Sequence, residues 1–364
     1  MKNQVPANMN HPARILVRGV NWLGDAVMTT PALLRLREHF PAAHITIFTP
    51  DKLKDLWGHH PAINQTLAVE GNAKAWVTGR VLRTQKFDLA LVLPNSPRSA
   101  LEVFFAGIPQ RIGLARPWRN FFLTRAVAPR PGAVKMQKRT AADIKRLIAV
   151  GGSRTSYPAS AHQSQEYLHL VAALGANPEP LLPQLVVKPE EVEAAKKKFC
   201  PETGSSPVFG LNPGAEYGPA KRWPAERFIA AAKEIQQQTG CAWLIFGGRG
   251  DVELAERIAG EIGSANLAGK TSLRELMALF KLCRVLLTND TGPMHVAAAL
   301  GTPVVVPFGS TSPELTGPVG ANHQIIKADV PCSPCFLREC PIDFRCMNGI
   351  GTRQVVAAVL QAVR

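Results

Sequence analysis

Short apolar runs that break on Gly, Asn, Asp or Pro and pass into helical stretches recur along the whole chain. The clearest is Val285-Leu286-Leu287, which ends in Thr288-Asn289-Asp290-Thr291-Gly292-Pro293-Met294-His295 and continues as Val296-Ala297-Ala298-Ala299-Leu300. That pattern is a strand, a tight turn and a helix start. Parallel strands need long crossover connections, usually helices, so the alternation commits the chain to an α/β fold of parallel sheets covered by helices. The first half predicts strands at 14–18, 44–48, 66–69, 87–93 and 111–114, with helices at 25–38, 100–106, 141–150 and 165–174. A Pro-rich stretch from Gly175 to Pro183 interrupts the pattern and reads as a linker. The alternation then restarts, with strands at 184–187, 208–211, 242–246, 284–288 and 303–307. Helices are expected at 190–199, 224–238, 251–262, 272–281 and 292–300, with a last one at 353–363. At roughly 100–200 residues per domain, the 364 residues make two doubly wound domains.

Composition narrows the function classes. No apolar run reaches the ~18 residues of a membrane span, and the segment Met1 to His11 is polar, without the apolar core of a signal peptide. A soluble cytoplasmic protein with a short disordered tail is the expectation. The net charge of +15 favours anionic partners. The densest basic stretch, Arg111 to Arg139, carries Arg116, Arg119, Arg125, Arg130, Lys135 and Lys138 among Trp118, Phe121 and Phe122. Basic residues interleaved with aromatics suit a membrane surface or a single nucleic-acid strand. No single stripe or recognised module for specific nucleic-acid binding is present.

Three strand-end loops carry the chemistry. Asn21-Trp22-Leu23-Gly24-Asp25 follows the first strand. Gly19 and Gly24 have the glycine spacing of a P-loop, but Asp25 and Ala26 stand where Lys and Ser/Thr are needed, so the loop presents a carboxylate instead. Asn212-Pro213-Gly214-Ala215-Glu216-Tyr217-Gly218-Pro219-Ala220-Lys221-Arg222-Trp223-Pro224 opens from a strand and closes on a helix, with Lys221 and Arg222 at its mouth. At Asp290-Thr291-Gly292, backbone N–H groups at a helix start make a ready anion seat, with His295 on the first turn. Phe308 to Glu314 is a further strand-end loop rich in hydroxyls. Four cysteines, Cys332-x2-Cys335-x4-Cys340-x5-Cys346, admit a thiolate zinc site, although the second pair is atypically spaced and reduced or redox-active thiols are the leading reading.

Together these segments resemble the ADP-heptose:lipopolysaccharide heptosyltransferases, and among them the enzymes that add the second heptose. Asn21-Trp22-Leu23-Gly24-Asp25-Ala26-Val27-Met28, the Asn212 to Pro224 loop and Asn289-Asp290-Thr291-Gly292-Pro293-Met294-His295 match the family's motifs in its order. The resemblance implies a GT-B architecture, with two Rossmann-like domains facing across a cleft. It places an acceptor-binding domain at 12–178, a nucleotide-sugar-binding domain at 179–348, and a C-terminal helix at 349–364 packing back on the N-terminal domain. It implies inverting transfer of L-glycero-D-manno-heptose from ADP-heptose to the first heptose of the lipopolysaccharide inner core.

The partners implied are the donor, a lipid A-core acceptor and the inner-membrane surface, with no specific nucleic acid. Asp25 and Lys221 are the expected catalytic residues: a base for the acceptor hydroxyl and a charge on the leaving pyrophosphate. Asn212, Gly214, Lys221, Asp290, Thr291, Gly292 and His295 are expected around the donor, and Asn21 and Trp22 around the acceptor. No catalytic metal or cofactor is expected, because Asn289-Asp290-Thr291 lacks the second acid of an Asp-x-Asp metal motif. The alternatives are a relative acting on the first- or third-heptose acceptor and a nucleotide-binding oxidoreductase. The missing G-x-G-x-x-G weighs against the oxidoreductase.

Overall fold

The computed structural model describes residues 12–69, 73–151, 155–200 and 206–364; the polar tail expected to be disordered lies outside them. The chain forms two units. The first runs to Ala133 and resumes over Gln163–Val186, and the second takes Val134–His162 and Val187–Arg364.

The first unit contains β1 (Arg14–Arg18), α1 (Leu23–His39), β2 (His44–Pro50), β3 (Gln65–Val69), α2 (Ala75–Arg83), β4 (Leu89–Val92), α3 (Pro97–Phe105), β5 (Gln110–Leu114) and β6 (Arg125–Val127). After α4 (Ala141–Val150), which falls in the second unit, α5 (Ser164–Ala172) returns to the first. The strands form one parallel sheet in the order β3-β2-β1-β4-β5-β6. β1 and β4 are its centre. Ile15, Leu16, Val17 and all of Leu89–Val92 are buried, the continuous apolar signature of strands covered on both faces. Strand order reverses between β1 and β4, so the crevice beyond their carboxyl ends is this sheet's topological switch point.

The second unit continues with α6 (Pro189–Phe199), β7 (Val208–Asn212), α7 (Ala225–Thr239), β8 (Ala242–Ile245), α8 (Val252–Ile262), β9 (Ala265–Asn266) and α9 (Leu273–Leu282). Then come β10 (Leu286–Thr288), α10 (Gly292–Ala299), β11 (Val304–Phe308), α11 (Pro313–Thr316), β12 (Gln324–Lys327), α12 (Arg345–Asn348) and α13 (Thr352–Ala362). This sheet is also parallel, in the order β12-β11-β10-β7-β8-β9, with its switch point between β10 and β7. Phe209, Trp223, Phe228, Trp243 and Ile245 anchor its core, with the Trp223 and Phe228 rings edge-to-face at 4.9 Å. Among the described residues no helix is long and apolar enough to cross a membrane.

Three organisational expectations are corrected. The Pro-rich stretch is not the linker. It is pinned to the first unit, where Arg35 Nε donates to Glu179 O at 2.9 Å. Gln184 N–H donates to Thr30 Oγ1 at 3.1 Å, and residues 184–187 form no strand. Secondly, the domain expected to end at residue 178 gives up 134–162. Val134 and Tyr157 pack on Ala161, Leu315 and Phe336, and Arg139 N–H bonds Cys335 O at 3.0 Å. Thirdly, the C-terminal helix expected as a separate element at 349–364 belongs to the second unit: α13 packs on α7, β11 and β12, and Val355, Val356 and Val359 complete that core.

Candidate functional site

In the second unit, three motif loops leave the carboxyl ends of adjacent strands β7, β10 and β11, where open α/β sheets bind ligands. Asn289 ties two of them together. It is fully buried, its Nδ2 donates to Pro213 O at 2.7 Å, and its Oδ1 accepts the Trp223 N–H at 3.0 Å. One amide thus grips both ends of the 213–223 loop. Trp223 Nε1 donates to Ile350 O at 3.1 Å, anchoring the loop's exit in the core.

That loop delivers Lys221 to Asp290. Lys221 Nζ lies 2.5 Å from Asp290 Oδ2, with the two side chains 13% and 4% exposed. The same carboxylate oxygen accepts from Thr311 Oγ1 at 2.5 Å, so the β10 and β11 loops meet here too. Tyr217 lies beneath the ammonium, its ring centroid 4.9 Å from Nζ, and its phenol donates to Phe336 O at 2.8 Å. The φ of +149° at Gly218, which disfavours any side chain, turns the chain between Tyr217 and Lys221.

Beside this pair, α10 begins at Gly292 with Thr291 extended as its N-cap. The Thr291 side chain makes no capping bond, and both Thr291 and Gly292 are partly exposed. The positive end of the helix and the Lys221 ammonium therefore belong to one anion-attracting corner. His295 is buried one turn in. Burial, offset by Asp290 and reinforced by His162 and Lys221, lowers its pKa to about 4, so it is neutral at physiological pH. His162 is also lowered by burial, and its Nε2 lies 3.1 Å from Gly317 O.

Lys221, Asp290, Thr291, Gly292 and His295 are thus brought together, whereas Asn212 and Gly214 have other partners. Asn212 is buried at the end of β7 and donates to Thr288 Oγ1 at 3.2 Å. A methyl group on Gly214 would collide with the Asp251 carboxylate, which is 3.4 Å from Arg222 and accepts Gly248 N–H at 3.1 Å. Both residues shape the loop from behind.

In the first unit, the Asn21 to Asp25 loop lies at the switch point after β1. Asp25 is in the first turn of α1, at the helix's positive end. α5 packs against α1, and Gln163 Nε2 donates to Asp25 Oδ1 at 3.3 Å. Gln163 also donates to the Tyr167 hydroxyl at 3.2 Å, and burial together with the Asp25 charge pushes the Tyr167 pKa upward. Trp22 is 45% exposed, and the Lys52 ammonium lies 5.3 Å from its ring. Asn21 accepts from Arg18 Nη1 at 3.3 Å, and Arg18 in turn pairs with buried Glu102 at 2.7 Å.

The basic stretch divides. Trp118 and Phe121 are 80% and 83% exposed, but Arg119 between them is wholly buried, donating to Asn95 Oδ1 at 3.3 Å. Burial, then the charge of Arg116, lowers its pKa to about 10. Arg119 is therefore removed from the expected surface patch.

Sequence reading missed four contributors. Asn289 and Tyr217 sat inside quoted motifs without a role, and Thr311 sat in a loop noted only for its hydroxyls. Gln163 had no local signal, being 138 residues from Asp25.

Comparison with known proteins adds an independent line. Residues 76–344 match the model of "Glycosyltransferase family 9 (heptosyltransferase)". The chain is 32% identical to lipopolysaccharide heptosyltransferase 2 of Salmonella typhimurium over 330 residues, covering 86% of this chain and 88% of that protein. It is also 32% identical to the Escherichia coli protein of the same name over 327 residues, with the same coverage. The solved structure of E. coli ADP-heptose LPS heptosyltransferase II superposes with a TM-score of 0.76 at 28% identity, covering 96% of this chain and 98% of that one. The two parallel six-stranded sheets thus match a GT-B heptosyltransferase.

Proposed function

Because the chain belongs to glycosyltransferase family 9, the heptosyltransferases, we propose that it transfers L-glycero-D-manno-heptose from ADP-heptose to the first heptose of the lipopolysaccharide inner core, inverting the anomeric centre. The observation that carries this reading is the corner built by Lys221, Asp290, Thr311 and the start of α10. It offers a cation and a helix N-terminus to a pyrophosphate, and it lies at the sheet's ligand crevice.

In this reading, the second unit holds the donor. Lys221 and the first-turn amides near Thr291 and Gly292 take up charge on ADP as the bond from the anomeric carbon to the phosphate oxygen breaks. Asp290 sets the position of Lys221 and turns its remaining acceptor capacity to heptose hydroxyls. His295, neutral and buried, packs the helix start and carries no charge to the phosphate. In the first unit, Asp25 accepts the proton of the attacking acceptor hydroxyl, and Gln163 and Tyr167 orient it. Trp22 and Asn21 offer a ring face and an amide to the acceptor sugar.

The site needs no Asp-x-Asp metal, since Lys221 supplies the cation, and turnover is expected without added Mg²⁺. Strict Mg²⁺ dependence would contradict that assignment. The +15 charge and the exposed Trp118 and Phe121 suit peripheral docking on an anionic cytoplasmic membrane face. Replacing both aromatics with Ala should lower binding to anionic vesicles and leave ADP affinity unchanged; equal vesicle binding contradicts the contact.

The functional test is incubation with ADP-heptose and truncated core acceptors bearing no, one or two heptoses, followed by mass analysis. One heptosyl addition to the single-heptose acceptor alone is expected. Addition only to another acceptor moves the protein to a different role within the family.

A further inference from the structure

Four of the seven cysteines line a single small cavity in the second unit. Cys332, Cys335, Cys340 and Cys346 surround a space of about 10 Å³, on the scale of one water molecule or ion. None is in a disulfide. Ser310 lines the same space, is 1% exposed, and its Oγ has no hydrogen-bond partner. A buried polar atom left unpaired against a cavity calls for an occupant.

The surrounding chain treats these sulfurs as acceptors. Phe344 N–H donates to Cys340 Sγ at 3.3 Å, and the backbone N–H of Leu337 donates to the Cys335 sulfur. Such outer bonds support thiolate ligands of a metal. Arg345 also lines the cavity, and its guanidinium is paired with Asp343 at 2.9 Å. It would offset part of the two net negative charges of four thiolates around a divalent ion. In this structure the sulfurs stand back: among the described residues no three His, Cys, Asp or Glu side chains are grouped as metal ligands.

We propose that Cys332, Cys335, Cys340 and Cys346 bind one zinc-type divalent ion as a structural tetrathiolate site, and that this site positions the loop carrying Tyr217 and Lys221. Four thiolates select Zn²⁺ or Fe²⁺, and closed four-cysteine sites of this kind are structural. Binding releases the four thiol protons to solvent and changes no oxidation state.

The link to the loop is direct. Ala220 lines the cavity and donates its N–H to Arg338 O at 2.9 Å. A side chain at Gly218 would strike the same Arg338 carbonyl, and Tyr217 donates to Phe336 O. Ser310 O accepts from both Cys335 N–H at 3.0 Å and Phe336 N–H at 2.7 Å. Locking the cysteine segment therefore locks the backbone on which the loop rests.

The metal half of this proposal stands apart from the donor-site reading; the positioning half rests on it. Full-length protein purified without chelator should carry one zinc or iron per chain by elemental analysis. Anaerobic Co²⁺ replacement should give thiolate-to-cobalt charge-transfer absorption. Cys335→Ser and Cys340→Ser should lose the ion and bind ADP at least several-fold more weakly. Should either variant fail to fold, stripping the wild-type protein with a thiol-directed reagent and chelator, then restoring Zn²⁺, repeats the comparison. Metal-free protein with all four thiols titratable, or a disulfide within the cluster, overturns the site. An ion whose removal leaves ADP affinity unchanged overturns the positioning role.

Discussion

Replacing Asn289 with Ala should destabilise the second unit and weaken ADP binding without changing any charge. The side chain is fully buried and donates to Pro213 O at 2.7 Å and accepts from Trp223 N–H at 3.0 Å. Its bond to Gly214 O at 3.4 Å is near the limit and adds little. The Ala variant leaves one buried N–H and one buried C=O unpaired, at about 1–3 kcal/mol each. The expected loss is therefore about 2–6 kcal/mol, a large share of a typical ~5–15 kcal/mol stability. Asn289→Asp makes the test sharper. It keeps the acceptor for Trp223 N–H but turns a carboxylate on two carbonyl oxygens, so it should be worse than Ala. Urea unfolding of both variants measures the stability, and calorimetric titration with ADP measures the loop. A loss under about 0.5 kcal/mol for Ala, the range of an ordinary surface change, refutes the reasoning. So does an Asp variant more stable than the Ala variant.

Lys221→Ala should lower ADP affinity at least tenfold. By removing the partner of an Asp290 carboxylate only 4% exposed, it should also cost about 3–5 kcal/mol of stability. Unchanged ADP titration would remove Lys221 from the donor seat. Asp25→Asn should reduce turnover by about 10²–10⁴-fold, the usual contribution of a general base, while ADP affinity stays at the wild-type value. Initial rates within a few-fold of wild type would exclude it as the base. Burial lowers both His295 and His60 to about 4, so between there and their ordinary 6.5 the unfolded chain binds more protons than the folded one. Stability from these groups is complete above about pH 6.5 and is lost as pH falls toward 4. Unfolding free energies across that window should show the decline, and His295→Gln should remove its share, up to about 3 kcal/mol; an unchanged pH slope would contradict neutral burial.

The alternation of apolar runs and helical stretches made the α/β class legible because parallel strands buried on both faces leave continuous signals such as Leu89–Val92. The motif loops were equally legible, since a turn that must present backbone and charge at a strand end constrains several neighbouring residues. What stayed hidden depended on contacts distant in sequence. Gln163 reaches Asp25 only because α5 packs on α1, and Arg119 reads as surface charge until its guanidinium is seen buried beside Asn95. The apparent strand at 184–187 shows the limit of local pattern. Its first N–H is taken by Thr30, and no ladder forms. The Pro-rich stretch misled for the same reason, its composition saying nothing of the Arg35 bond that fixes it.

The most direct test of the donor seat is a crystal structure of the wild-type protein with ADP. The account predicts the β-phosphate within hydrogen-bonding distance of Lys221 Nζ and of the backbone amides that open α10, at the carboxyl ends of β7 and β10. A diphosphate bound elsewhere, with Lys221 still turned only toward Asp290, would contradict it.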